Sequence, residues 1–200
     1  MGKRNRFSPR RSGFLKPKKF FIVATEGAKT EKLYLDEFKP PREAVVQVKI
    51  LENKKHKTKP LEVFGRLKSY AADHALGPED ELWLMIDRDS WEEIELNQIA
   101  AEIAKRANFF LALSNPCIEF WFYLHFADNK PFNHRSKIIP ELEKLLGSYD
   151  KGCYDVACIA KGIDAAIVRA QKLDTPPKDP WPRSQGTHVY RLMKRILGRP

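Results

Sequence analysis

The stretch ELWLMIDRD, residues 81–89, combines a strand-like apolar run with two aspartates at its end. Residues 82–86 are all apolar, which is typical of a strand that is covered on both faces of a parallel sheet. The run ends directly in Asp87-Arg88-Asp89. Because open parallel sheets bind their ligands at the carboxyl ends of the strands, this stretch predicts both a fold class and the position of a site.

Three further strands are predicted around this stretch, at 20–25 (FFIVAT), 44–51 and 109–113 (FFLAL). A helical pattern follows each strand, at 30–38, from Pro60 onward, at 92–106 and at 118–126. This alternation predicts an α/β fold with a parallel sheet flanked by helices. Further helices are predicted at 136–147, 155–173 and 187–197. The expected domains are a flexible basic arm (1–18), an α/β core (19–130) and a helical C-terminal extension packed on the core (131–200).

Local signals predict where some of these helices begin and which side chains they bury. Thr30 is expected to cap the first helix, and Asn115 to cap the fourth, with Pro116 in its first turn. In the third helix, Ile94, Ile99 and Ile103 are expected to point inward.

The net charge of +10 is distributed very unevenly along the 200 residues. Residues 1–19 contain eight Lys and Arg and no acid, whereas residues 73–95 contain nine acids and one basic residue, Arg88. Smaller basic clusters lie at 49–59 and at Arg183 with 191–199. An acidic centre with basic surroundings fits a metal site that handles a polyanion. A solubilising tail on an ordinary globular domain explains the same charges and stays an open alternative.

Several classes of protein do not fit this sequence. No apolar run approaches the roughly 20 residues that cross a bilayer, and the basic N-terminus lacks the apolar segment of a secretory signal. Three cysteines are too few for a disulfide framework, so a reducing, cytoplasmic location is expected. The chain has no Walker A, G-x-S-x-G or G-x-G-x-x-G motif, which argues against nucleotide triphosphatase, serine hydrolase and dinucleotide-binding functions.

Acidic side chains follow three of the four predicted strands. Glu26 ends the first strand, Asp87 and Asp89 end the third, and Glu119 lies in the helix after the fourth. Carboxylates placed this close repel one another unless a cation neutralises them, and carboxylate oxygens are the ligands that Mg²⁺ and Mn²⁺ prefer. The pattern predicts a divalent-metal site made by Glu26, Asp87 and Asp89. The alternative for Asp89 is that it caps the helix that follows.

Three segments together resemble the RloB family: TEGAKTEKLYLDEF (25–38), WLMIDRD (83–89) and SNPCIEFWFYLHF (114–126). The similarity extends over about residues 19–197. It implies a Toprim-like domain, in which a Glu ends the first strand and a D-x-D ends a later one. It also implies a metal-dependent nuclease that acts in bacterial or archaeal anti-phage defence, often beside an ATPase partner.

The resemblance also implies roles for individual residues. Glu26, Asp87 and Asp89 become the Toprim acids, with Mg²⁺ or Mn²⁺ as cofactor, and Asn115 and Glu119 become auxiliary polar groups. Glu119 completes the predicted catalytic set. Glu31, five residues after Glu26, either reaches the same edge or is an ordinary exposed helical glutamate.

Basic residues outside the arm are candidates for contacts with nucleic acid, either DNA or RNA: Lys54, Lys55, Lys151 and Arg183. The aromatic side chains of 121–126 are expected to belong to the core, and His125 is expected either to pack there or to lie at the surface. A rival hypothesis is a non-catalytic subunit, whose acids are structural and which binds nucleic acid or a partner protein.

Overall fold

The computed structural model describes residues 18–51, 53, 59–89, 91–132 and 134–200. The strands are β1 (Lys19–Thr25), β2 (Val46–Leu51), β3 (Glu81–Asp87), β4 (Phe109–Asn115) and β5 (Gly186–Thr187). The helices are α1 (Thr30–Glu37), α2 (Pro60–Asp73), α3 (Glu93–Ala104), α4 (Ile118–Leu124), α5 (Ile138–Leu146), α6 (Val156–Ala160), α7 (Ile163–Leu173) and α8 (Val189–Ile196), with a 3₁₀ turn at Arg135–Lys137.

The five strands form one sheet in the order β2-β1-β3-β4-β5. The first four strands are parallel, and the short β5 runs antiparallel to β4. The predicted α/β class, with a parallel sheet and a helical C-terminal part, is confirmed. β1 and β3 are neighbours even though β2 lies between them in the chain, so the residues that follow β1 and β3 meet at one edge.

Alternate residues of the central strands pack into two apolar layers, because successive side chains of a strand point to opposite faces. Ile22, Leu84 and Ile86 pack with α2 and α3 on one face. Phe21 and Met85 pack on the other face with α1, α4 and the helices of the C-terminal part. The sheet is therefore buried on both sides, and the carboxyl ends of its strands are left as the place for polar side chains.

Two helix starts differ from their predictions because the side chains that were expected to cap them form hydrogen bonds with distant parts of the chain. Thr30 is the first residue of α1 rather than its cap, and its hydroxyl donates to the Lys151 carbonyl (2.8 Å). Asn115 is the last residue of β4, and its side-chain amide donates to the Pro182 carbonyl (2.9 Å). Both acceptors are distant in sequence, so local patterns could not reveal them.

Three other details also differ. The predicted helix 155–173 is split at Lys161-Gly162, where the chain packs so closely that a Cβ on Gly162 would lie 2.2 Å from the His125 carbonyl oxygen. The predicted helix 187–197 starts later, because Gly186–Thr187 pair with β4. Ile94 is 66% exposed, whereas Ile99 and Ile103 are buried as predicted. Apart from Lys18, the predicted basic arm lies outside the described residues.

His125 is buried in the core, one of the two positions that the sequence left open, and both ring nitrogens have partners. Nδ1 lies 2.7 Å from the Ile159 carbonyl oxygen and Nε2 lies 3.1 Å from the Tyr34 hydroxyl. The neutral ring satisfies both contacts when Nδ1–H donates to Ile159 and the Tyr34 hydroxyl donates to Nε2. Burial lowers the pKa of His125 from 6.5 to about 4.

This buried histidine predicts how stability responds to acid. Between pH 6.5 and 4 the unfolded chain binds a proton at His125 that the folded protein excludes, so the free energy of unfolding falls as the pH falls. The full contribution is roughly 3 kcal/mol. The free energy of unfolding, measured with urea at a series of pH values, should be plotted against pH. The slope of this plot should be shallower for His125→Gln than for wild type by up to about 1.4 kcal/mol per pH unit. His74→Gln, at an exposed histidine, is the control, and parallel slopes for wild type and His125→Gln would contradict the prediction.

Among the described residues, no helix has both the length and the apolar character needed to span a bilayer.

Candidate active site

Two of the predicted acids lie side by side where β1 and β3 end. The Glu26 N–H donates to the Met85 carbonyl (3.1 Å), which extends the pairing of the two strands by one residue. The Asp87 N–H in turn donates to Glu26 Oε2 (3.2 Å). The parallel register therefore places the side chain of Glu26 against the end of β3.

Glu31 joins these acids from the first turn of α1. It is only 5% exposed, and its Oε1 accepts from the Gly27 N–H (2.9 Å). A Cβ on residue 27 would lie 2.3 Å from Glu31 Oε2, so a larger residue than Gly27 would displace the Glu31 carboxylate. The sequence left open whether Glu31 reaches this edge or is an exposed helical glutamate. The structure shows that Glu31 is buried at the edge.

Glu119 approaches from α4 and is completely buried. Its Oε1 forms an ion pair with Lys151 Nζ (2.8 Å) and accepts from the Tyr149 hydroxyl (3.3 Å). Burial alone would raise the pKa of Glu119, but the hydrogen bond and charge of Lys151 outweigh burial, and the pKa lies below its usual value. Glu119 is therefore a carboxylate that Lys151 holds in its ionised form.

Asp89 lies just beyond β3 and has φ = 38°, a left-handed conformation in which Asp and Asn are over-represented. Its carboxylate pairs with Arg135 (2.7 Å). The residue that precedes α3 is Glu92, so Asp89 is not the cap of that helix. Because β3 ends at Asp87 and Asp89 is left-handed, the strand geometry that points residues two apart to the same face does not extend to Asp89.

The acids at this edge raise one another's pKa. Burial raises the pKa of Glu26 from 4.5 to about 7, and the charges of Glu31 and Asp89 add to the effect. Burial also raises the pKa of Asp87 well above its usual value, with Glu31 and Glu119 contributing. The pKa of Glu31 is raised mainly by burial as well. Additional positive charge would therefore stabilise the ionised form of this cluster.

The donor chemistry of the cluster fits a hard divalent cation such as Mg²⁺ or Mn²⁺. Glu31 Oε2 and Glu119 Oε2 are buried and have no hydrogen-bond partner among the described residues, so each has an oxygen available for a ligand. In the described ranges, no three Asp, Glu, His or Cys side chains are already arranged as an ion site. Binding a cation would require the carboxylates to move towards it.

A basic groove of about 400 Å³ begins next to Asp89. Among the residues that line it are Arg88, Asn115, His134, Arg135 and Arg183. The Arg183 guanidinium lies 4.0 Å from the centre of the Trp181 ring and donates to Asn97 Oδ1 (2.8 Å). A groove with three arginines beside a carboxylate cluster suits a phosphate-bearing ligand.

The predicted site residues thus divide into three groups. Glu26, Asp87 and Glu119 belong to one electrostatically coupled cluster, which Asp89 borders. Arg183 and Asn115 line the groove, and Lys151 contacts Glu119. Lys54 and Lys55 lie outside the described residues.

Two residues that contact the acids were not identified from the sequence. Arg135 and Tyr149 lie in connecting segments without a recognisable motif, although the resemblance extends across Tyr149. Only their distances to Asp89 and Glu119 reveal them.

Comparison with known proteins identifies the family of the chain. The family model described as RloB-like protein matches residues 21–196, nearly the whole described chain. The chain belongs to the RloB-like protein family. The family match spans every acid of the site, the groove and the C-terminal helices, so these parts occur together within one family domain. No curated protein and no solved structure matches the chain significantly.

Proposed function

We propose that this member of the RloB-like family is a Mg²⁺- or Mn²⁺-dependent nuclease that hydrolyses phosphodiester bonds. The observation that carries the proposal is the coupled cluster of Glu26, Glu31, Asp87 and Glu119, with pKa values raised at three of these acids, beside a groove with three arginines. Carboxylates with perturbed pKa values next to a polar groove are typical of catalytic sites.

Each acid has a role that its position supports. Asp87 and Asp89 would hold the metal, and Glu26, whose carboxylate accepts from the Asp87 N–H, would join them once the carboxylates move towards the ion. A bound metal would polarise the phosphate and lower the pKa of the attacking water. Glu26, with a pKa of about 7, is suited to take or give a proton near neutral pH.

The basic side chains support binding of a polyanion. Arg88, Arg135 and Arg183 line the same groove as Asp89, so a phosphodiester bound there would lie against the Asp89 carboxylate. Lys151 is half exposed and contacts the cluster through its ion pair with Glu119. DNA and RNA share the phosphodiester backbone, so the proposal includes both as substrates.

The role in anti-phage defence and the ATPase partner are proposed from family membership. A second candidate function is a non-catalytic subunit that binds nucleic acid or a partner protein. The ion pairs Lys151–Glu119 and Arg135–Asp89 favour it, because they neutralise two of the acids without a metal.

A cleavage assay distinguishes the two functions. The full chain is incubated with DNA and with RNA, with Mn²⁺ or with EDTA, and with or without any ATPase that a neighbouring gene encodes. Cleavage that requires Mn²⁺ and is lost in Glu26→Gln supports the nuclease. Binding without cleavage under all these conditions supports the non-catalytic subunit.

The basic arm predicts a salt-dependent contribution to nucleic-acid binding. Deleting residues 1–18 should weaken binding and flatten the plot of log K against log salt by about 0.9 for each phosphate that the arm would otherwise neutralise. A full-length variant with glutamine at the arm's six basic positions before residue 17 separates charge from length (Lys3, Arg4, Arg6, Arg10, Arg11, Lys16). Equal affinity of wild type and both variants at low salt would show that the arm does not touch nucleic acid.

A further inference from the structure

A slot of about 550 Å³ runs along the free edge of β4, at the opposite end of this strand from the carboxylates. α3 forms one wall with Ala100, Ile103 and Ala104, and α8 forms the other. Ala100 and Ala104 are one helical turn apart, and their short side chains keep the slot open. Phe109 and Leu111 form its base.

On the side away from β3, the β4 backbone along this slot is paired at Phe109, whose N–H donates to the Arg106 carbonyl (3.3 Å), but not at Leu111. Leu82 N–H donates to the Asn108 carbonyl (2.8 Å) and Arg88 N–H to the Ser114 carbonyl (2.7 Å), so the even-numbered residues of this segment bond to β3. Because peptide groups alternate in direction along a strand, those of the odd-numbered residues face the slot.

β5 covers only the end of this edge. It pairs with Ser114 and Asn115, and His188 N–H donates to the Leu113 carbonyl (2.8 Å). For Leu111, the described part of the chain shows no partner on this side for either the N–H or the C=O. An edge strand with free peptide groups can accept another extended segment as an added strand.

The rim of the slot on the α8 side is basic: Arg191, Lys194, Arg195 and Arg199 line it. Three of these cations have an acidic partner: Arg191 pairs with Asp174, Arg195 with Glu81 and Arg199 with Asp164. Lys194 has no ion-pair partner in the described residues and supplies the unpaired charge of the rim. The Arg195 guanidinium also lies 4.6 Å from the centre of the Phe110 ring. The slot therefore offers apolar contacts at its base and positive charge at its rim.

We infer that this slot binds an extended acidic peptide segment of a partner protein, which adds as a strand to the β4 edge. The free peptide groups at Leu111 would pair with the backbone of the segment. Its apolar side chains would pack on Ala104 and Phe109, and its acidic side chains would face Lys194 and Arg195. A second copy of this chain fits less well, because pairing two β4 edges would bring two basic rims together.

The probe is a synthetic eight-residue peptide of alternating valine and glutamate, titrated into the ¹⁵N-labelled full chain. We expect saturable shifts of the Leu111 and Leu113 amide signals and slower hydrogen exchange at Leu111. A peptide with lysine in place of glutamate, and a peptide N-methylated at alternate residues, should each bind at least about tenfold more weakly, a difference of about 1.4 kcal/mol.

Two variants connect the binding to the slot. Ala104→Leu narrows the slot at an exposed helical position, and Lys194→Glu reverses the charge of the unpaired rim lysine. Both should weaken peptide binding about tenfold or more, since they remove the space and the charge that the segment needs. Lys161→Glu, at an exposed lysine that does not line the slot, should bind the peptide like wild type.

Three outcomes would overturn the inference. The first is no change of the Leu111 amide at millimolar peptide. The second is an oligonucleotide that shifts Lys194 and Arg195 as strongly as the peptide does while Leu111 stays unchanged, which would identify the rim as a nucleic-acid contact. The third is a concentration-dependent shift of Leu111 without peptide, accompanied by dimer formation, which would identify a second copy as the occupant.

Discussion

Asp87→Asn is expected to abolish Mn²⁺-dependent cleavage while raising the thermal stability of the metal-free protein. Burial and the charges of Glu31 and Glu119 raise the pKa of Asp87, so folding at neutral pH must either bind a proton there or bury a repelled charge. Asparagine removes this cost at nearly constant volume. Cleavage should fall roughly 100-fold or more, where each factor of ten corresponds to about 1.4 kcal/mol of lost transition-state stabilisation.

Thermal melting during a Mn²⁺ titration measures the metal part of this prediction. At a Mn²⁺ concentration of about 100 times its Kd, wild type should gain roughly 2.7 kcal/mol, or about 5–10 °C in Tm. Asp87→Asn should gain much less. Asp73→Asn, at an exposed aspartate at the end of α2, is the matched control and should behave like wild type.

Asp89→Asn tests the neighbouring acid separately. It removes the ion pair with Arg135, which is partly exposed and contributes about 1 kcal/mol or less to stability. In the nuclease, the substitution should still abolish cleavage and weaken Mn²⁺ binding. A wild type that gains no stability from Mn²⁺, together with a fully active Asp89→Asn, would end the nuclease hypothesis.

Lys151→Met is expected to be strongly destabilising. Its partner Glu119 is completely buried, so removing the ammonium leaves an uncompensated carboxylate among aromatic side chains. Breaking a fully buried pair costs roughly 3–5 kcal/mol, and the half-exposed position of Lys151 places the expected loss at about 2–3 kcal/mol. Urea unfolding at pH 7 measures it.

The partner substitution serves as the control for this experiment. Adding Glu119→Gln to Lys151→Met should restore much of the lost stability, because no charge is then buried without a partner. Lys144→Met, which breaks the exposed pair with Glu141, should change stability by about 0.5 kcal/mol or less. A Lys151→Met protein as stable as Lys144→Met would show that Glu119 does not depend on Lys151.

The strands could be predicted because their signal is local. Residues 20–25, 82–86 and 109–113 are continuous apolar runs, and each is a strand of the sheet. β5 could not be predicted, because two residues carry no periodicity and Gly186–Thr187 become a strand only by pairing with β4. The prediction that Asn115 caps a helix was wrong because its side chain donates to the Pro182 carbonyl, which lies far away in the sequence.

The candidate site was predictable only where acids directly follow strands. Glu26 and Asp87 were identified in this way, and the parallel register brings them together. Glu31 stayed ambiguous, because a glutamate in a first helical turn is buried only if the chain opposite it leaves room, and Gly27 does so. Arg135 was not identified, since its loop reaches Asp89 through tertiary packing alone.

The sequence by itself determined the α/β class, the order of the first eight elements and the edge of the sheet at which acids collect. These features depend on residues close together in the chain, whose apolar periodicity and strand ends are visible without the fold. The tertiary structure alone decided the burial of Glu119 against Lys151, the pairing of Asp89 with Arg135 and the free β4 edge beside α8. Each of these depends on segments tens of residues apart, and their charge and burial exist only once the helices pack on the sheet.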